Sequence, residues 1–292
     1  MCGQQADSEQ GEAVLSQAAA AYRRALGSRL VAGYALGSLA HGGFSPLVSD
    51  VDLGIILADP PRAADRLTIR RVAGAVRAGG SALHGRLSVF WGTPATLAGQ
   101  ARGGRFPPLD RLDLLEYGRL ITGQDARQTV ARPDQAELLV AGAEFALGSL
   151  AGDPALPGRL RCWAHLRLRP DSAVAEIRTP SLLVSRGPRR LTKVVLFPVR
   201  FLFTAQTGRV GTNDIAAEHY LTSAHPLAAE LVTAALGWRQ EPPAGNQAGA
   251  LVSRELIPLY LQYIDDHVAR LRTAGYPRLA GKFCRWRDRL TT

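Results

Sequence analysis

The chain has 292 residues, 46% hydrophobic and 21% charged, a balance that excludes intrinsic disorder and supplies enough apolar mass for one large domain or two packed ones. No run reaches the roughly 18 apolar residues of a membrane-spanning helix, and Met1 to Glu12 lacks an apolar signal-peptide core, so no membrane partner is expected. The formal net charge is +10, unevenly placed: residues 1–150 hold 15 Lys+Arg against 14 Asp+Glu, and residues 151–292 hold 20 against 11.

In chain order, Glu12 to Leu26 is Ala-rich with helical spacing, and Arg29 to Leu36 (RLVAGYAL) reads as a buried strand ended by Gly37-Ser38. A loop with His41-Gly42-Gly43 and Ser45-Pro46 precedes a second strand, Val51 to Leu57 (VDLGIIL). Ala63 to Arg77 predicts a helix, Arg86 to Trp91 a third strand, and Leu112 to Ile121 a helix ending near Gly123. Helical segments then dominate: Gln135 to Leu150, Arg190 to Gln206, Asn213 to Leu221, Leu227 to Leu236 and Gln247 to Leu271. Pro170, Pro180 and Pro226 read as breaks. The expected fold is α+β, a small mixed-sheet domain over 1–128 followed by an α-helical bundle over 129–292. Cys2, Cys162 and Cys284 lie far apart and form no CxxC pair. A reducing, cytoplasmic setting is therefore expected.

The chemistry is concentrated in Gly37-Ser38, eleven intervening residues, then Asp50-Val51-Asp52. Residues i and i+2 of a strand share a face, so Asp50 and Asp52 project side by side from one strand end. Two adjacent carboxylates repel, and a divalent cation relieves the repulsion. Mg²⁺ takes carboxylate together with phosphate oxygens, which points to a metal–nucleotide site. Gly37 lets a phosphate approach the backbone, and the Ser38 hydroxyl adds a donor. Phosphates held there and metal held by the aspartates suit attack on an α-phosphorus with pyrophosphate leaving.

This strand–Gly-Ser–loop–Asp-x-Asp–strand pattern resembles the nucleotidyltransferase superfamily of DNA polymerase beta. A second stretch, Val194 to Glu218 (VVLFPVRFLFTAQTGRVGTNDIAAE), resembles the helical domain of the aminoglycoside adenylyltransferases that modify streptomycin and spectinomycin. The matching positions are Arg200, Thr207-Gly208 and Asn213-Asp214-Ile215-Ala216-Ala217. The resemblance implies transfer of AMP from Mg-ATP to a hydroxyl of a small-molecule acceptor, with Asp50 and Asp52 as catalytic metal ligands. It further implies nucleotide contacts from Gly37, Ser38, Ser49, Asp125, Asn213 and Trp238, the last stacking on adenine. The acceptor is expected in a cleft between the two domains.

The sequence departs from the family at two places. The family's third core strand carries a carboxylate that acts as general base, and here Arg86 or Ser88 stands where it is expected. Asp110, Asp113 or Glu116 could substitute. The family's Lys near the nucleotide phosphates is replaced by Asn213, for which Lys193, Arg190 or Arg209 could compensate. Arg200 interrupts an apolar helix and needs either an ion-pair partner or a phosphate. The charge argues separately about the acceptor. Between Arg159 and Arg209, Asp171 and Glu176 face eleven basic residues, an unfavourable field for a polycationic drug. A catalytically weakened nucleotide-binding homologue, and a transferase with an anionic acceptor such as RNA or protein, therefore stay beside the aminoglycoside reading. No RNA-binding module is recognisable, so nucleic acid is not favoured.

Overall fold

The computed structural model describes the backbone of residues 2–152 and 170–292. Two compact units divide the chain, residues 1–133 and 134–292. Of the basic stretch from Arg159 to Arg209, residues 159–169 lie outside the described residues, as does Cys162; Cys284 is a free thiol.

The first unit holds strands β1 (Leu30–Leu36), β2 (Val51–Leu57), β3 (Leu87–Gly92) and β4 (Arg119–Gly123). Its helices are α1 (Cys2–Leu26), α2 (Ser38–His41), α3 (Ala63–Arg77), α4 (Ala82–Gly85), α5 (Pro94–Leu97) and α6 (Pro108–Glu116). The sheet runs β3-β2-β1-β4, with β1 antiparallel to β2 and β4, and β2 parallel to β3. The mixed sheet expected from sequence is thus present with one strand more.

One sheet face is closed by α1 and α3. Ala35, Val51, Leu53, Ile55, Leu57, Leu87, Val89 and Trp91 pack there against Leu15, Ala18, Tyr22, Ile69 and Val72. All the strand residues in that cluster are odd-numbered, as the two-residue period requires. The Tyr22 hydroxyl donates to the Ile69 carbonyl at 2.9 Å, tying the two helices together. Arg77 extends from α3 to donate twice to the Leu87 carbonyl, at 2.9 and 2.8 Å.

The reading of Leu112 to Ile121 as one helix is corrected. Helix α6 stops at Glu116, and Arg119–Gly123 pairs with β1 as β4. Gly118 makes the break: a Cβ there would sit 2.4 Å from the Leu114 carbonyl oxygen. Strand β4 is short and mostly exposed, so no buried apolar alternation marked it. The open backbone edge of β1 recruits it instead.

The second unit is helical among its described residues. Its helices are α7 (Gln135–Ser149), α8 (Pro170–Arg178), α9 (Pro180–Ser185), α10 (Pro188–Thr207), α11 (Asn213–Leu221), α12 (Ala229–Gly237), α13 (Gly245–Thr273) and α14 (Pro277–Thr291). Pro170 and Pro180, read as breaks, each open a helix, the position proline tolerates best. Asp134 starts α7 with a reciprocal cap: it accepts the Glu137 N–H at 2.8 Å, and Glu137 accepts its own N–H at 3.1 Å. Helix α10 is the hub, burying Leu191, Val194, Val195, Val199 and Leu202. Helices α13 and α14 meet through Tyr260, Tyr263, His267, Phe283 and Trp286, with the His267 ring stacked on Phe283 at 5.7 Å. No helix of the described residues is long and apolar enough to cross a membrane.

Candidate active site

Along β2 the residues of the closed face are odd-numbered, and the first residue on the opposite face is Asp52. Val51 and Leu53 are sealed, while Asp52 between them is half-buried. Strand β3 repeats this with Leu87 and Val89 sealed and Ser88 half-buried. The register sets Asp52 between Leu36 of β1 and Ser88 of β3. Asp50 immediately precedes β2 and is half-buried.

Gly37 closes the site from β1. It adopts φ +60° and ψ −148° as the residue before α2, a conformation that favours glycine. A Cβ at Gly37 would lie 2.5 Å from Asp52 Oδ2, so the turn rests directly on that carboxylate. Ser38, half-buried, opens α2. The Gly37 amide donates to Asp113 Oδ2 of α6 at 2.6 Å. Two carboxylates from different elements thus meet at one glycine. Nothing in the pattern of α6 marked Asp113 beyond its weighing as a replacement base, because an acid on an amphipathic helix reads as a solvated charge.

The loop ahead of Asp50 is braced from within. The Ser49 hydroxyl, buried, accepts the Ser45 N–H at 3.0 Å, and Arg86 donates to the Pro46 and Leu47 carbonyls at 2.7 and 3.1 Å. Ser49 and Arg86 thereby hold the approach to the aspartates. His41 sits edge-on to Tyr117, with ring centroids 5.5 Å apart.

Asp125 is anchored by β1 and by its own loop. It accepts from the Tyr34 hydroxyl at 2.9 Å and forms an ion pair with Arg127 at 2.6 Å. The Arg127 hydrogen bonds hold its carboxyl well below the usual carboxylate range. Burial raises the Tyr34 hydroxyl to about 12, so it stays a donor.

In the second unit, Asn213 is the first residue of α11, after Thr212 caps the helix by accepting the Ile215 N–H at 3.3 Å. Trp238 is 9% exposed and belongs to the helical core. Next to these two, Arg239 reaches Asp214 at 4.0 Å, which brings the α11 start and the α12 end together. Arg200 donates from Nε to the Gly211 carbonyl at 2.5 Å and lies over Phe197, fastening α10 to the loop before Asn213. Arg190 is committed to buried Glu176 at 2.7 Å, beside Arg186 at 3.0 Å.

Half-buried carboxylates at the start of β2 are of the chemical kind that Mg²⁺ takes as ligands. Mg²⁺ commonly takes one or two carboxylates and completes its shell with phosphate and water oxygens. Among the described residues, no group of three or more His, Cys, Asp or Glu could hold a metal ion.

No protein-family model and no curated protein sequence matches the chain. Among solved structures, it is similar to spectinomycin adenyltransferase AAD(9) from Enterococcus faecialis, determined with ATP and spectinomycin. The likeness is one of fold. The TM-score is 0.52 at 13% sequence identity, over 84% of this chain and 98% of that one. A small mixed sheet followed by helices is therefore an arrangement shared with a nucleotidyltransferase.

Proposed function

We propose that the chain is a nucleotidyltransferase that moves AMP from Mg-ATP to a hydroxyl of a small-molecule acceptor, an aminoglycoside such as streptomycin or spectinomycin. The observation that carries this reading is the half-buried pair Asp50 and Asp52 at the start of β2, with the Gly37 turn resting on Asp52. The likeness in fold to an enzyme determined with ATP and spectinomycin supports it. Asp50 and Asp52 would hold the metal, and Gly37-Ser38 would receive the triphosphate. Mg²⁺, when bound, offsets the charge that develops as pyrophosphate leaves. The acceptor oxygen attacks the α-phosphorus, and its proton passes to a base or to water.

Ser49, Asp125, Asn213 and Trp238 would be the further nucleotide contacts in this reading. Ser49 and Asp125 are also held by the loop bonds described above, and Trp238 by the helical core.

A second reading has its own observation. Ser88, not a carboxylate, stands in register with Asp52 on β3. Loss of a general base costs roughly 10²–10⁴-fold in rate, which suits a weakened, nucleotide-binding homologue.

The deciding experiment incubates the protein with labelled ATP, Mg²⁺ and a panel of streptomycin, spectinomycin, other aminoglycosides, tRNA and acidic proteins. Labelled drug, lost in Asp52→Ala, is the expected result. Label on RNA or protein alone would sink the antibiotic acceptor. Saturable ATP binding without transfer would favour the weakened homologue.

A further inference from the structure

We infer that Asp113, reaching the site from α6, is a positioning residue that fixes the Gly37 turn and supplies the site's third negative charge in place of a β3 carboxylate. The inference rests on the reading of Asp50 and Asp52 as a divalent-cation pair. Three facts converge on it. The Gly37 N–H donates to Asp113 Oδ2 at 2.6 Å, a charge-assisted bond and among the stronger kinds. Gly37 in turn lies so close to Asp52 that a Cβ would come within 2.5 Å of Oδ2. The residue paired with Asp52 across β3 is Ser88, which brings no charge.

The consequence is mechanical and electrostatic. The peptide before Gly37 is held by α6, and a glycine at φ +60° pressed on Asp52 leaves that carboxylate little room to turn away. A fixed carboxylate needs less reorganisation when a cation arrives. The Asp113 charge also acts on that cation directly. One unit charge acting on a divalent ion across several ångströms of partly solvated space changes affinity by about tenfold. Asp113 thereby keeps a three-carboxylate charge count while the third carboxylate comes from a helix rather than a strand.

The test titrates Mn²⁺ into the full chain, followed by electron paramagnetic resonance, with thermal melting measured in parallel. Wild type binds Mn²⁺ and Asp52→Ala does not. Asp113→Asn keeps an acceptor for the Gly37 N–H and loses the charge; it weakens Mn²⁺ by about tenfold and lowers the melting temperature less than Asp113→Ala does. Asp113→Ala loses both; it weakens Mn²⁺ further and speeds hydrogen exchange at the Gly37 amide. Asp113→Glu regains most of the affinity. Mn²⁺ affinities of Asp113→Asn and Asp113→Ala equal to wild type would overturn the inference while leaving the metal pair standing. Equal Mn²⁺ binding by wild type and Asp52→Ala would overturn the metal pair, and this inference with it.

Discussion

The two units use their carboxylates in opposite ways. In the second, Glu176 is fully buried and answered by Arg190 and Arg186, and Glu255 is buried while accepting the Leu231 N–H at 2.8 Å and an Arg254 ion pair at 2.6 Å. These acids hold helices together. In the first, Asp50 and Asp52 are half-buried at a strand end, and the Gly37 amide links Asp113 to the turn that rests on Asp52. A buried acid with strong cationic partners is spent on structure. Half-buried acids at a strand end keep part of their surface toward solvent. The pairing also locates part of the charge of +10: Arg186 and Arg190 share the one carboxylate of Glu176, so the trio keeps a net positive charge.

The contrast can be broken from either side. Asp52→Ala has the largest expected effect, a loss of at least about 10³-fold in nucleotidyl transfer with little change in melting temperature. Transfer assays and calorimetry on the same preparation check it, and an unfolded variant would mean that Asp52 is structural after all. Glu176→Ala should act in reverse, lowering stability by about 3–5 kcal/mol because Arg190 is left buried without its partner. Urea unfolding measures that loss, and Asp52→Ala is the control that should not show it.

A third prediction concerns His267, buried between α13 and α14. Burial pushes its imidazole down to about 4 from an ordinary 6.5, against the raising effect of Asp266. The neutral ring donates from Nδ1 to the Tyr263 carbonyl at 3.2 Å. The folded value lies below the unfolded one, so the unfolded chain binds the proton first. Stability from this group is complete above about pH 6.5 and falls as pH drops toward 4, by up to about 3 kcal/mol. Urea melts at pH 7, 5.5 and 4.5 should show this slope, and His267→Phe should flatten it. The smallest effect is expected from Gly37→Ala. Its backbone conformation, φ +60° and ψ −148°, costs a residue with a Cβ about 1–3 kcal/mol, and the new methyl must displace Asp52, so Mn²⁺ affinity should fall together with stability.

Legibility differed between the units for a physical reason. Val51–Leu57 and Ala63–Arg77 were bounded correctly because a buried strand and a one-faced helix each impose a period on their own residues. Strand β4 was hidden because its side chains are mostly exposed and its partner is a backbone edge. Helix α14 was not anticipated, although Phe283, Trp286 and Leu290 line its buried face. Asp125 reads in the sequence as a ribose or metal-shell residue. Its bonds to Tyr34 and Arg127 depend on β1 lying beside the segment after β4, which spacing does not encode.

By itself the sequence determined the order Gly-Ser, then Asp-x-Asp, and that the second aspartate enters a strand behind a permissive turn. Strand periodicity is local, so those residues carry that information alone. Only the tertiary structure decided that Ser88 stands opposite Asp52, that Arg190 belongs to Glu176, and that Asp113 meets the Gly37 amide from a helix 76 residues along the chain. Contacts of that kind follow from how sheet and helices pack, and no local pattern fixes which distant charge arrives at a given turn.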